Sequence, residues 1–196
     1  MEDLLKNREE FLDETCSLCG RQLTKYGNKK LKDGTLCRIC AKVSSPWLSD
    51  EDFSRKTVED MRKHIIYRGQ NLAKLDTFVC SKVVEGKYSL YLDEENRQLY
   101  FAKKKDVKRE NPDIIPFDDV EEISIVEEKY LNEDAADLMF EVKLNNDELS
   151  RMYFRVNEFP GINTQSEEYA KTSELADNYL KALMEDMDFE EVTQEV

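Results

Sequence analysis

The chain has 196 residues, 37% of them charged and 40% hydrophobic, and its net charge is −14. That apolar fraction argues against a disordered chain and suits one ordinary domain or two small ones. No run approaches the roughly 18 consecutive apolar residues of a membrane span, and so acidic a surface does not bind nucleic acid or anionic lipid as a whole.

Residues 1–15 read as an acidic lead-in helix, with Leu4, Leu5, Arg8, Phe11 and Leu12 at helical spacing. Acids stand where a secretory leader would be basic, so a cytoplasmic protein is expected. Residues 16–48 carry Cys16, Cys19, Cys37 and Cys40 in the pattern Cys-x2-Cys-x17-Cys-x2-Cys. In a reducing compartment, such pairs point to a metal and not to disulfides. Two intervening residues let both thiolates of a pair reach one ion. Gly20 permits a tight knuckle, and Lys32-Asp33-Gly34-Thr35 turns the chain back so that the pairs meet. The segment from Cys37 to Val43 then reads as a strand end entering a short helix, a treble-clef-like layout. The expected cofactor is one structural Zn2+. Four thiolates fill its coordination sphere, and a module of about 29 residues has too small a core to fold without it.

Pro46 ends the short helix, and Trp47 is expected to pack between the module and the helix that follows. That linking helix is placed at residues 54–76, entered through the capping pair Thr57 and Asp60, with Val58, Met61, Ile65, Leu72 and Leu75 along one face. His64, the single histidine, is expected on the helix surface near Met61 and Arg68.

From residue 77 the period changes to two, and residues 77–187 are read as one β-domain. Seven strands are expected, at 78–84, 88–92, 98–102, 114–116, 120–127, 138–144 and 152–156, with Cys80 buried and inert in the first. A closing helix over 167–187 would bury Tyr169, Ala176, Leu180 and Leu183 and be capped through Thr164 and Glu167. Residues 188–196 form an acidic tail. A seven-stranded antiparallel sheet can hide its apolar face and edges by curling into a sandwich plugged by a helix. This order of elements resembles pleckstrin-homology-like domains, with Ile115-Pro116-Phe117-Asp118-Asp119-Val120 as the turn into the fifth strand. The fold class is therefore α+β.

Three stretches, Cys16-Ser17-Leu18-Cys19-Gly20, the run from Leu31 to Cys40, and Ser45-Pro46-Trp47, resemble an uncharacterised bacterial four-cysteine zinc domain. That family occurs mostly at the N-terminus of small proteins of Gram-positive bacteria and their mobile elements. The resemblance implies zinc at the four cysteines and no known activity.

Residues 16–42 hold seven basic side chains against Asp33 alone, a balance of +6 that leaves −20 for the rest of the chain. A bound zinc tetrathiolate lowers the module to about +4. No phosphate loop, nucleophilic triad or second metal cluster stands out, so no catalysis and no small-molecule substrate are expected. The expected function is an adaptor that binds another protein, with Tyr26, Lys29, Lys30, Lys32 and Arg38 as the contact surface. The alternatives are nucleic-acid binding through the same residues, membrane or phosphoinositide binding by the β-domain, and an acidic DNA mimic from a mobile element. The first β-hairpin is poor in charge for lipid binding, although Lys103, Lys104, Lys105, Lys108 and Arg109 form a basic loop.

Overall fold

A computed structural model describes residues 15–103, 111–131 and 134–187. The lead-in up to residue 14, the basic loop beyond Lys103 and the tail 188–196 lie outside the described residues. The fold is mixed α and β with antiparallel sheets, and the chain divides into two compact units, Met1–Leu72 and Ala73–Val196. Among the described residues no helix is long and apolar enough to cross a membrane.

In the first unit, β1 (Lys29–Lys30) and β2 (Thr35–Leu36) form a hairpin closed by the Leu31 N–H to Gly34 O bond of 2.8 Å. Helices α1 (Arg38–Val43), α2 (Asp50–Arg55) and α3 (Val58–Thr77) follow. The linking helix expected at 54–76 is α3, which begins at Val58, and a separate short helix, α2, precedes it because the chain caps twice. Ser49 Oγ accepts from the Asp52 N–H at 3.2 Å while the Asp52 carboxylate accepts from the Ser49 N–H at 2.8 Å. Thr57 and Asp60 repeat the same reciprocal pair at 3.2 and 2.8 Å. Phe53 of α2 and Met61 of α3 join Leu23, Leu31, Leu36, Cys16, Cys37 and Cys40 in one core. Packing therefore continues past residue 48, where the sequence reading ended the module. Trp47 is buried, and His64 is fully buried instead of lying on the helix surface. The imidazole Nε2 accepts the Ser45 N–H at 3.0 Å. A buried backbone donor needs an acceptor, and this side chain supplies it.

The second unit holds two antiparallel sheets. Strands β3 (Lys82–Val84), β4 (Tyr88–Asp93), β5 (Gln98–Lys103) and β6 (Ile115–Pro116) form a meander. In the other sheet, β7 (Val120–Lys129) pairs along one edge of β8 (Ala135–Leu144). Strands β9 (Arg151–Arg155) and β10 (Ile162–Asn163) share the other edge of β8, and α4 (Glu167–Met187) follows. The described residues thus contain eight strands in this unit, where seven were expected. The extra one, β10, has only two residues, too few for alternation to register.

The first strand is also shorter than expected. Phe78 leaves the ladder and packs edge-on against Tyr100 at 4.7 Å, and Leu75 and Tyr91 help cover the same face of β5. Cys80 consequently lies outside the strand and is exposed.

Phe101 from the first sheet, Phe140 and Phe154 from the second, and Tyr179 from α4 meet with ring centroids 5.0–6.3 Å apart. Tyr179, not Leu180, is the deeply buried residue of that turn. Its hydroxyl reaches the Tyr88 carbonyl oxygen at 2.6 Å, and Gly86 leaves room for it, since a Cβ there would stand 3.0 Å from Tyr179 Cζ. The cap of α4 is Ser166, whose Oγ accepts the Tyr169 N–H at 3.1 Å; Thr164 instead donates its N–H to Asp134 O.

Buried Asp137 ties β8 to the loop after β9. Its carboxylate accepts from Asn157 Nδ2 at 2.8 Å, Gly161 N–H at 2.7 Å, Arg155 at 3.2 Å and Tyr130 Oη at 3.1 Å. Burial pushes this carboxyl up, but those four donors outweigh it and hold it below the usual aspartate range.

Tyr179→Phe removes the hydrogen bond to the Tyr88 carbonyl and should cost about 0.5–1.5 kcal/mol, against about 3–5 kcal/mol for Tyr179→Ala, in denaturant unfolding of the full chain. The depressed Asp137 carboxyl contributes stability above the unfolded aspartate value of about 3.9, and this contribution is lost as pH falls through the lower folded value. Asp137→Asn should flatten that acid-side fall in a pH series of unfolding midpoints.

Candidate metal centre

Each cysteine pair is placed by backbone geometry that involves few residues. The Cys16 N–H donates to Arg21 O at 2.7 Å and the Gly20 N–H to Cys16 O at 2.8 Å, with Gly20 at φ +69°. Thr15 and Gln22 close this knuckle as an antiparallel bridge. The second pair straddles the start of α1, where Cys37 is the cap residue and Cys40 lies within the first turn. Ser17 joins the halves: its N–H donates to Thr35 O at 2.9 Å and its Oγ accepts the Thr35 N–H at 3.0 Å. The Asp33 carboxylate, at the hairpin tip, caps α3 by accepting the Val58 N–H at 2.8 Å.

The four Sγ atoms lie within 4.8 Å of one another. The Cys19 and Cys37 sulfurs stand 3.8 Å apart. Metal–sulfur bonds of about 2.3 Å at tetrahedral angles set neighbouring sulfurs about 3.8 Å apart, whereas a disulfide needs about 2.05 Å. All four are free thiols. The donor set therefore fits one metal ion held by thiolates alone. Cys16, Cys37 and Cys40 are buried and Cys19 is exposed.

Electrostatics differ across the set. Burial pushes the Cys16 thiol up, but the backbone N–H groups of Cys37, Cys19 and Leu18, with the Cys19 side chain, bring it down to about 6. Cys40 is held far above the ordinary thiol range by burial, by hydrogen bonding to the other three sulfurs and by charge at Cys16. One thiolate forms readily and the last resists, the pattern expected where several anions crowd without a cation between them.

The contact residues named from sequence fall into different settings. Tyr26 is 71% exposed, and the Lys25 ammonium lies over its ring at 4.9 Å. The Arg38 stem packs against Gly27, where a Cβ would stand 2.9 Å from Arg38 Cγ. Lys30 and Lys32 are exposed at the hairpin. Lys29 is engaged: it pairs with Asp50 and lies over the Phe53 ring at 5.6 Å. Sequence reasoning passed over Ile39 and Val43, each 48% exposed. Their i, i+4 spacing on α1 was a usable signal. Ser17 and Asp33 act through partners distant in sequence, which no local pattern announces.

Residues 15–64 match a family described as a domain of unknown function, DUF4428. No curated protein and no solved structure matches the chain. The matched segment contains all four cysteines, the hairpin, α1 and α2, and ends at His64. Cluster and match together fit an N-terminal four-cysteine metal-binding module.

Gly34 is the tightest joint in this module. A methyl group there would overlap Ser17 Oγ and stand 2.8 Å from Ser17 Cβ and 3.0 Å from Val58 Cγ2. Gly34→Ala should weaken metal affinity by about tenfold or more in chelator competition, since at least 1.4 kcal/mol of overpacking falls between the ligand pairs. Gly69→Ala, where a Cβ meets open space on α3, should leave that affinity unchanged.

Proposed function

We propose that this protein is a non-catalytic adaptor in which a structural zinc holds a small protein-binding module. The four-thiolate donor set supports zinc, which accepts soft tetrahedral ligands and, once surrounded by four, keeps no position for water or substrate. The order knuckle, hairpin, helix supports a treble-clef-like reading of the module. For the second unit, a four-strand meander, a second sheet led by β7, β8 and β9, and a closing helix support a pleckstrin-homology-like reading. Both are scaffolds that present rigid surfaces, an argument by analogy of fold.

The observation that carries the binding role is the outer face of α1. Ile39 and Val43 lie exposed one turn apart, and Arg38 and Lys42 occupy the adjacent row, also exposed. Tyr26 sits close by through the Arg38–Gly27 contact. Aromatic and arginine side chains beside an apolar stripe are typical of anchor positions in protein interfaces. The nucleic-acid reading is weakened by the engagement of Lys29 with Asp50 and Phe53.

The test is purification of tagged full-length protein from its native host beside the Ile39→Asp, Val43→Asp double variant. A stoichiometric protein should accompany the native chain and fall by about tenfold or more with the variant, at unchanged zinc content. Recovery of nucleic acid alone, or of the same protein with both chains, would sink the proposal.

A further inference from the structure

Three of the four clustered thiols are buried, and Cys19 alone of them is exposed. Its sulfur stands 3.8 Å from that of Cys37. Beside Cys19, the Cβ position of Gly20 has no heavy atom within 4 Å other than its chain neighbours, so that side of the knuckle is uncovered. Oxidation of cysteine follows thiolate character and access, and metal-bound cysteines are thiolates. Cys16, Cys37 and Cys40 have the first property without the second.

We infer that Cys19 is an oxidation site through which a peroxide opens the metal centre, closing a Cys19–Cys37 disulfide. This rests on the metal-binding reading of the four thiols. The Cys19 thiolate attacks one peroxide oxygen; an S–O bond forms, the O–O bond breaks and hydroxide leaves. The Cys37 thiolate then attacks the Cys19 sulfur; the S–S bond forms, the S–O bond breaks and a second hydroxide leaves. The two sulfurs together give up two electrons, the peroxide gains two, and two protons from the acid form of the buffer turn the two hydroxides into water. The sulfurs must close from 3.8 Å to about 2.05 Å. Cys16 and Cys40 are then the only thiolates left, too few to retain an ion that took four. Because Cys37 caps α1, the new bond also pins the knuckle directly to the start of that helix.

Zinc-loaded full-length protein carrying Cys80→Ser, which removes the exposed thiol outside the cluster, is titrated with hydrogen peroxide. Released metal is followed with a chromophoric chelator, and disulfides are mapped by peptide mass spectrometry. The expected result is one ion released per peroxide consumed, Cys19 linked to Cys37, and full recovery of zinc binding after reduction. Metal release with Cys19 still a free thiol overturns the inference. So does metal retention in the substituted chain under peroxide that oxidises Cys80 in the unsubstituted one. Protein that takes up no zinc overturns the metal reading alone. The Cys19–Cys37 bond is then sought by the same titration of the four free thiols, and its absence there overturns this inference as well.

Discussion

The first unit depends on four sulfur atoms being held where they repel one another. Its apolar core is small: Leu23, Leu31 and Leu36 from the module, with Phe53 and Met61 from α2 and α3. Three of the cysteines occupy that same core, so the ligands are part of the packing. As thiols they fill space like small hydrophobes, and as thiolates they would be uncompensated buried charges. A cation between them changes the sign of that account, because binding to a site absent from the unfolded chain is itself folding energy. Backbone N–H donors depress Cys16, while burial and this crowding raise Cys40.

What the sequence made legible follows from how local each signal is. The cysteine spacing, Gly20 and the hairpin at Lys32–Thr35 each act within a few residues, and the structure places them as a knuckle, a hairpin and a helix start. The alternation of Leu138, Phe140, Val142 and Leu144 was equally plain, and these four residues are buried in β8. The helix 167–187 stands where its periodicity put it. What was missed depends on distant partners. His64 looks like a surface histidine until the Ser45 N–H needs an acceptor. Phe78 alternates like a strand residue until the outer face of β5 needs covering. Cys80 is carried out of the ladder with it.

The second unit solves a different problem by different means. Its two sheets and closing helix converge on four aromatic rings, and the one with a polar end, Tyr179, spends its hydroxyl on a strand carbonyl. A buried hydroxyl without such an acceptor would cost about 1–3 kcal/mol, a sizeable fraction of what the ring's burial contributes. Asp137 applies the same rule to a charge: four donors surround it, and the loop that supplies Asn157 and Gly161 is thereby fixed. Hydrogen bonds to buried acceptors thus hold this unit's irregular parts, where the first unit gathers four cysteines fit to hold a metal ion.

Charge and shape contribute unequally to what the metal does for the proposed binding face. Four neutral thiols leave residues 16–42 at +6, and four thiolates around a dication leave about +4, so loading makes the module less basic. At physiological ionic strength a change of two charges is screened over about 8 Å. The larger effect is geometric. Cys37 and Cys40 bracket the first turn of α1, a helix of six residues, too short to persist on its own side-chain preferences. Ile39 and Val43 share one face only while that turn is wound. A bound ion would therefore act on the α1 face mainly by fixing where two apolar side chains point, and only secondarily by the field it adds.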